Sequence, residues 1–173
     1  MDRVAEDRKH IITTLALVLA LACAPGALRA ADPAGNPAGP SLTTLFADLA
    51  QPDNPEWARV ESDILRLWSQ SGSAAVDLLL QRGEEALALG DTAAAIDHFT
   101  AATDHAPDFP EAWNGLATAY YQAGRMGEAV AAIRRTLILE PRHFGALSGL
   151  ATILEETGRP EAALAVLRQV QAI

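Results

Sequence analysis

The sequence predicts an all-α protein, and three observations carry that expectation. The composition is half hydrophobic, rich in Ala and Leu and poor in aromatics, which favours helices over sheets. Apolar residues recur at helical spacing, first at Leu42, Leu45, Phe46 and Leu49, the pattern of an amphipathic helix. Beyond about Val76, four residue types return at intervals of 34: Gly90, Gly124 and Gly158; Ala95, Ala129 and Ala163; Pro107 and Pro141; Leu116 and Leu150. A period of that length marks stacked helical hairpins, each burying a face that it cannot bury alone.

Residues 1–30 read as a secretory signal. Arg8 and Lys9 precede the uncharged run "IITTLALVLALACA", Ile11 to Ala24, which is too short to cross a bilayer of roughly 30 Å as a helix. Pro25 and Gly26 break it, and the small residues up to Ala30 suit cleavage after Ala30, so the expected compartment is the periplasm. Asp2, Glu6 and Asp7 are unusual ahead of such a run and point to a start downstream of Met1. Cys23 sits in "LALAC", an imperfect lipoprotein box, and leaves a lipid anchor open as the lesser alternative. Cleavage after Ala30 would leave a chain without cysteine, held by packing and not by disulfides.

The net charge is −9. Removal of residues 1–30 takes four basic residues (Arg3, Arg8, Lys9, Arg29) and three acidic ones, leaving 9 basic against 19 acidic, a net of −10 with no lysine. Binding of nucleic acid or anionic lipid depends on neutralising phosphates with Lys and Arg. Neither is expected as a partner, and no membrane span is expected in the mature chain.

Residues 31–40, "ADPAGNPAGP", form a flexible linker of Pro, Gly and small residues. Residues 41–72 read as an irregular helical hairpin. Its second helix is marked by Trp57, Val60, Ile64, Leu65, Leu67 and Trp68, and "SGS" closes it. Three repeat units follow, over 76–109, 110–143 and 144–173. In each, a Gly ends the first helix in a conformation that disfavours a Cβ. The repeating Ala sits where paired helices approach closely. Phe99, Ile133 and Leu167, also 34 apart, fill the core between units. Pro107 and Pro141 stop the second helix.

The middle unit, with Trp113-x2-Leu116-Ala117-x2-Tyr120 followed by Gly124, Ala129 and Pro141, closely resembles the tetratricopeptide repeat family. Ala117 replaces that pattern's usual Gly. The first unit keeps Gly83, Gly90, Ala95, Phe99, Ala102 and Pro107, with Leu79 and Ala86 in the Trp and Tyr places; the third keeps Leu150, Gly158 and Ala163. The resemblance implies a right-handed α-solenoid of about eight helices, hairpin included. It also implies a non-catalytic scaffold or adaptor whose concave groove, lined by the first helix of each unit, holds a segment of another protein.

On that register the groove would be lined by Asp77, Gln81 and Glu84; by Glu111, Asn114, Thr118, Tyr121 and Gln122; and by Ser148, Thr152, Glu155 and Glu156. Asn114, Tyr121 and Gln122 are the expected central contacts. The face is polar to acidic and lacks the Lys and Arg with which some members of the family clamp a peptide carboxylate. Arg134, Arg135 and Arg142 read as solvated cations in ordinary ion pairs.

No catalytic residue, cofactor or metal site is expected. His98 and His105 stand two turns apart, too far to share an ion, and they and His143 read as solvated or loop histidines. The acidic turn with Asp104, Asp108 and Glu111 does not match a calcium loop. Within the last unit, Leu164, Leu167, Val170 and Ile173 are expected to be satisfied by their own hairpin. The alternative is a strip that packs on a second copy, which leaves open homo-oligomerisation in a self-associating envelope assembly.

Overall fold

The structure, a computed structural model, describes residues 39–173. The expected signal, its cleavage site, Cys23 and nearly all of the linker lie outside the described residues. Among those described are eight helices: α1 (Leu42–Leu49), α2 (Trp57–Trp68), α3 (Ala74–Ala88), α4 (Thr92–His105), α5 (Pro110–Gln122), α6 (Met126–Leu139), α7 (Phe144–Glu156) and α8 (Pro160–Val170). They pair as successive antiparallel hairpins, and the first helix of each repeat also lies against the next, α3 on α5 and α5 on α7.

The repeated turn residues act through one backbone device. Gly90, Gly124 and Gly158 have φ of +76°, +73° and +73°, a region that a Cβ disfavours. The N–H of the following residue then reaches back: Asp91 to Ala86 O (2.9 Å), Arg125 to Tyr120 O (2.8 Å) and Arg159 to Leu154 O (2.8 Å). Each is the 6→1 bond that satisfies carbonyls orphaned at a helix end. At the other ends, Ala106 and Glu140 leave the helical region at φ −136° and −134°, because a following proline clashes with helical backbone before it. Starts are set by Asp91, whose side chain accepts from Ala94 N, and by Pro110 and Pro160 in the first turn, where a missing N–H costs nothing.

The core is a contest of sizes at fixed register. Phe99 on α4 is fully buried. A Cβ built on Gly83 of α3 would lie 2.6 Å from its ring, and one built on Gly115 of α5 would collide with the same ring. The two glycines therefore form a slot into which only an aromatic-sized group fits closely. One repeat later the same places hold Ala117, Ile133 and Gly149, and there a Cβ on Gly149 would rest 3.8 Å from Ile133 Cδ1, ordinary van der Waals contact. Ala95 and Ala129 are fully buried and Ala163 nearly so, which lets each hairpin close.

The helix marked by Trp57 to Trp68 is present as α2. Its buried row is Val60, Ile64 and Trp68, whereas Trp57 is 57% exposed and Leu65 47% exposed. A stripe at i, i+4, i+8 is all that a two-helix hairpin can cover. One expectation about apolar spacing is corrected, in α8. There Leu164 and Leu167 are 50% and 42% exposed, so the last hairpin does not satisfy them. Only Ile173 of that set finds another cluster, that of Leu45, Phe46 and Trp68.

Gly115→Ala and Gly149→Ala are expected to act with opposite sign although they share a register. The first overpacks Phe99 and should cost about 1–3 kcal/mol. The second removes a helix-interior glycine without a clash and should gain up to about 1 kcal/mol. Urea denaturation of both variants checks this, and equal costs would contradict the slot.

Candidate functional site

Between α5 and α7 lies a cleft of about 180 Å³. Its depth is apolar: Ala117, Ile133, Ala146 and Ile153 line it and all are buried. Asn114, Thr118 and Tyr121 from α5 and Gly145, Gly149 and Thr152 from α7 complete it. These last six are half-buried or exposed, so a polar and glycine-lined mouth opens over an apolar floor.

The mouth is held by specific bonds. Tyr121 donates its hydroxyl to Glu156 Oε1 at 2.7 Å, tying α5 to α7. That bond, more than burial or the carboxylate's charge, pushes the Tyr121 hydroxyl above its ordinary value, so it remains a donor at neutral pH. Asn114 Nδ2 donates to Glu111 Oε1 at 3.1 Å. The Thr118 and Thr152 hydroxyls donate to Asn114 O and Ser148 O, both at 3.1 Å, within their own helices.

Beside the cleft stands His143, and here expectation is corrected: it is buried, not a solvated loop residue. It caps α7, its Nδ1 accepting from Ala146 N at 3.1 Å, while Nε2 lies 2.9 Å from Glu111 Oε2. An Nδ1 that accepts carries no proton, so the proton is on Nε2 and is donated to Glu111. The ring stacks on Trp68 at 4.3 Å and 7°. Trp68 also meets Phe144 at 4.9 Å, and the Arg142 guanidinium lies 3.9 Å from the Phe46 centroid. Thus the α1–α2 hairpin docks on the start of α7. Among the described residues, Trp68 Nε1 is buried without a hydrogen-bond partner.

Of the residues expected in a groove, Asn114, Thr118, Tyr121 and Thr152 come together in the cleft. Glu111 sits at its edge, committed to Asn114 and His143, and it raises Glu84 nearby. Burial first, and then the Glu111 charge, push the Glu84 carboxyl above its ordinary value of 4.5. Gln81 is spent on Glu85 (2.9 Å), and Asp77 pins the preceding turn by accepting from Ser71 N and Oγ. Gln122, Ser148 and Glu155 are exposed and do not line the cleft.

Sequence reasoning missed the floor residues and the two α7 glycines. Their signal was present, as glycines inside a helical pattern signal close approach. Among the expected arginine contacts, Arg135 pairs with Asp108 at 3.3 Å and Arg142 with Glu140 at 3.4 Å. The described residues hold no cluster of three or more His, Cys, Asp or Glu placed to bind a metal ion. None of the described helices is long and apolar enough to cross a membrane.

Residues 80–139 and 127–173 match the tetratricopeptide repeat family. A tetratricopeptide repeat-containing protein of Rhizobium etli is 37% identical over 124 residues, covering 71% of this chain and 61% of its own length. The chain thus spans about three-fifths of that relative. Superkiller protein 3 of Schizosaccharomyces pombe is 34% identical over 79 residues, 46% of this chain and 6% of its own. Among solved structures, a substituted variant of MamA superposes with a TM-score of 0.50 at 19% identity, covering 73% of each chain. That likeness speaks to fold.

The raised Glu84 carboxyl yields a pH dependence. A group whose folded value lies above its unfolded one binds protons more tightly in the native state. Its stabilisation is present at acid pH and is lost as pH rises through the folded value. Glu84→Gln should therefore move the urea midpoint upward at pH 7, modestly because the residue keeps much of its surface in solvent. The gain should vanish below the ordinary value of 4.5. A shift of the same size at pH 7 and pH 3.5 would contradict the assignment.

Proposed function

The chain belongs to the tetratricopeptide repeat family, and from that premise we propose that it is a non-catalytic periplasmic adaptor that holds a segment of another protein between α5 and α7. The observation that carries this reading is the cleft itself. At about 180 Å³ it falls short of the roughly 300–1,000 Å³ of pockets that enclose drug-sized ligands. It is suited to an apolar side chain presented by a partner, seated on Ala117, Ile133, Ala146 and Ile153.

The mouth supports a protein ligand for a second reason. The Tyr121 ring offers contact area at low entropic cost, and Asn114 keeps its Oδ1 without a partner among the described residues, free to accept a backbone N–H. The acidic balance of the chain and the Glu84, Glu111 and Glu156 carboxylates along this side favour a partner segment that is neutral or basic outside its apolar anchor. Export is supported by the apolar run Ile11 to Ala24 and the small residues before Ala31. Anchoring through Cys23 is the variant that keeps the same adaptor at a membrane. Dividing the repeats at residues 76, 110 and 144 gives the first helix of each unit to this side.

Capture from a periplasmic extract tests the reading. The tagged chain should recover a reproducible protein partner, and Asn114→Ala combined with Tyr121→Ala should reduce recovery at least tenfold while the helical signal is unchanged. Recovery at the parental level by the double variant would remove the cleft from the account.

A further inference from the structure

The outer side of α8 carries an apolar strip that the described residues leave open. Leu167 occupies the register of Phe99 and Ile133, which are 0% and 3% exposed, yet it is 42% exposed, and Leu164 one turn earlier is 50% exposed. Among the described residues nothing covers this strip. The opposite end of the stack is built differently. At the α3 positions equivalent to Gly115, Leu116 and Ala119, which face the preceding hairpin in α5, the chain carries Gln81, Arg82 and Glu85. These are exposed, and Gln81 is bonded to Glu85 at 2.9 Å.

That asymmetry decides between two ways of covering the strip with another copy. Head-to-tail stacking would press Leu164 and Leu167 onto Gln81 and Glu85, burying polar groups against alkyl side chains, at a cost. Pairing of α8 with α8 of a second copy about a twofold axis buries leucine on leucine, and such an interface must be self-complementary. Charge meets that requirement. Glu161 and Arg168 are seven residues apart, two turns of helix on one flank of the Leu164–Leu167 strip. When two such helices run antiparallel, Glu161 of each copy lies beside Arg168 of the other. The rest of the chain is strongly acidic and repels a second copy. The α8 segment, with Arg159, Glu161 and Arg168, is not.

We propose that the chain forms a twofold-symmetric dimer through antiparallel pairing of α8, with the Leu164–Leu167 strip as its centre and reciprocal Glu161–Arg168 pairs on its flank. An 11-residue helix is only about 16 Å long. Two of them bury less than the roughly 1,200 Å² typical of stable complexes. The dimer is therefore weak and concentration-dependent, and it leaves the α5–α7 cleft open on both copies.

Sedimentation equilibrium of the purified chain from Ala31 onward at low salt, over a hundredfold range of concentration, tests this. The mass should climb from that of one such chain towards twice that value and no further. Leu164→Glu with Leu167→Glu should hold it at the monomer with helicity unchanged, since both side chains are already exposed. Glu161→Arg or Arg168→Glu alone should weaken association about tenfold by setting like charges together twice, and the combined swap should restore it to within about threefold. A parental chain that stays monomeric overturns the proposal. So do association unaffected by the leucine substitutions, growth beyond the dimer, and a combined swap that fails to restore.

Discussion

Phe99 between Gly83 and Gly115 is the contact on which the rest of the stack depends. The ring comes from α4, the glycines from the helices on either side of it in the curve, and each glycine is required because a Cβ there would meet the ring. Close packing at this density turns a difference of one carbon into a difference in helix separation. The first two repeats are thereby locked at one spacing, and α5 inherits its position from that lock.

The second interface repeats the geometry with a smaller wedge. Ile133 stands where Phe99 stands one repeat earlier, and α7 again presents a glycine, Gly149, across from it. The space that an aromatic ring fills in the first interface is here left partly empty, and the cleft lined by Ile133, Ala117 and Gly149 is that space. The site is a framework position in which the chain declines to complete its own packing. The neighbouring Trp68–His143 stack fixes the start of α7 from outside the repeat, and the Tyr121–Glu156 bond ties the ends of α5 and α7.

How much of this was legible in the sequence follows from which interactions obey the period. Gly90, Gly124 and Gly158 could be read as helix stops because a positive φ needs no partner elsewhere in the chain. Ala95, Ala129 and Ala163 could be read as close contacts because their partner is the adjacent helix. The consequence of Ile133 for Phe99 was not legible, since a bulky apolar residue satisfies the pattern whether or not it fills its slot. Trp68 lies outside any repeat relation and meets His143 across 75 residues of chain, so neither spacing nor composition linked them. In α8, Leu164 and Leu167 misled because an apolar residue at helical spacing is as compatible with an exposed flank as with the core.

If the cleft is the vacancy left by Ile133, then restoring the ring should fill it. The stability of Ile133→Phe to urea is the direct measurement. The account predicts a midpoint at or above that of the parent, because the added carbons enter space already present and gain burial. A loss of about 1–3 kcal/mol, the usual cost of forcing a larger group into a filled core, would show that the space is not there to be occupied and would contradict the account.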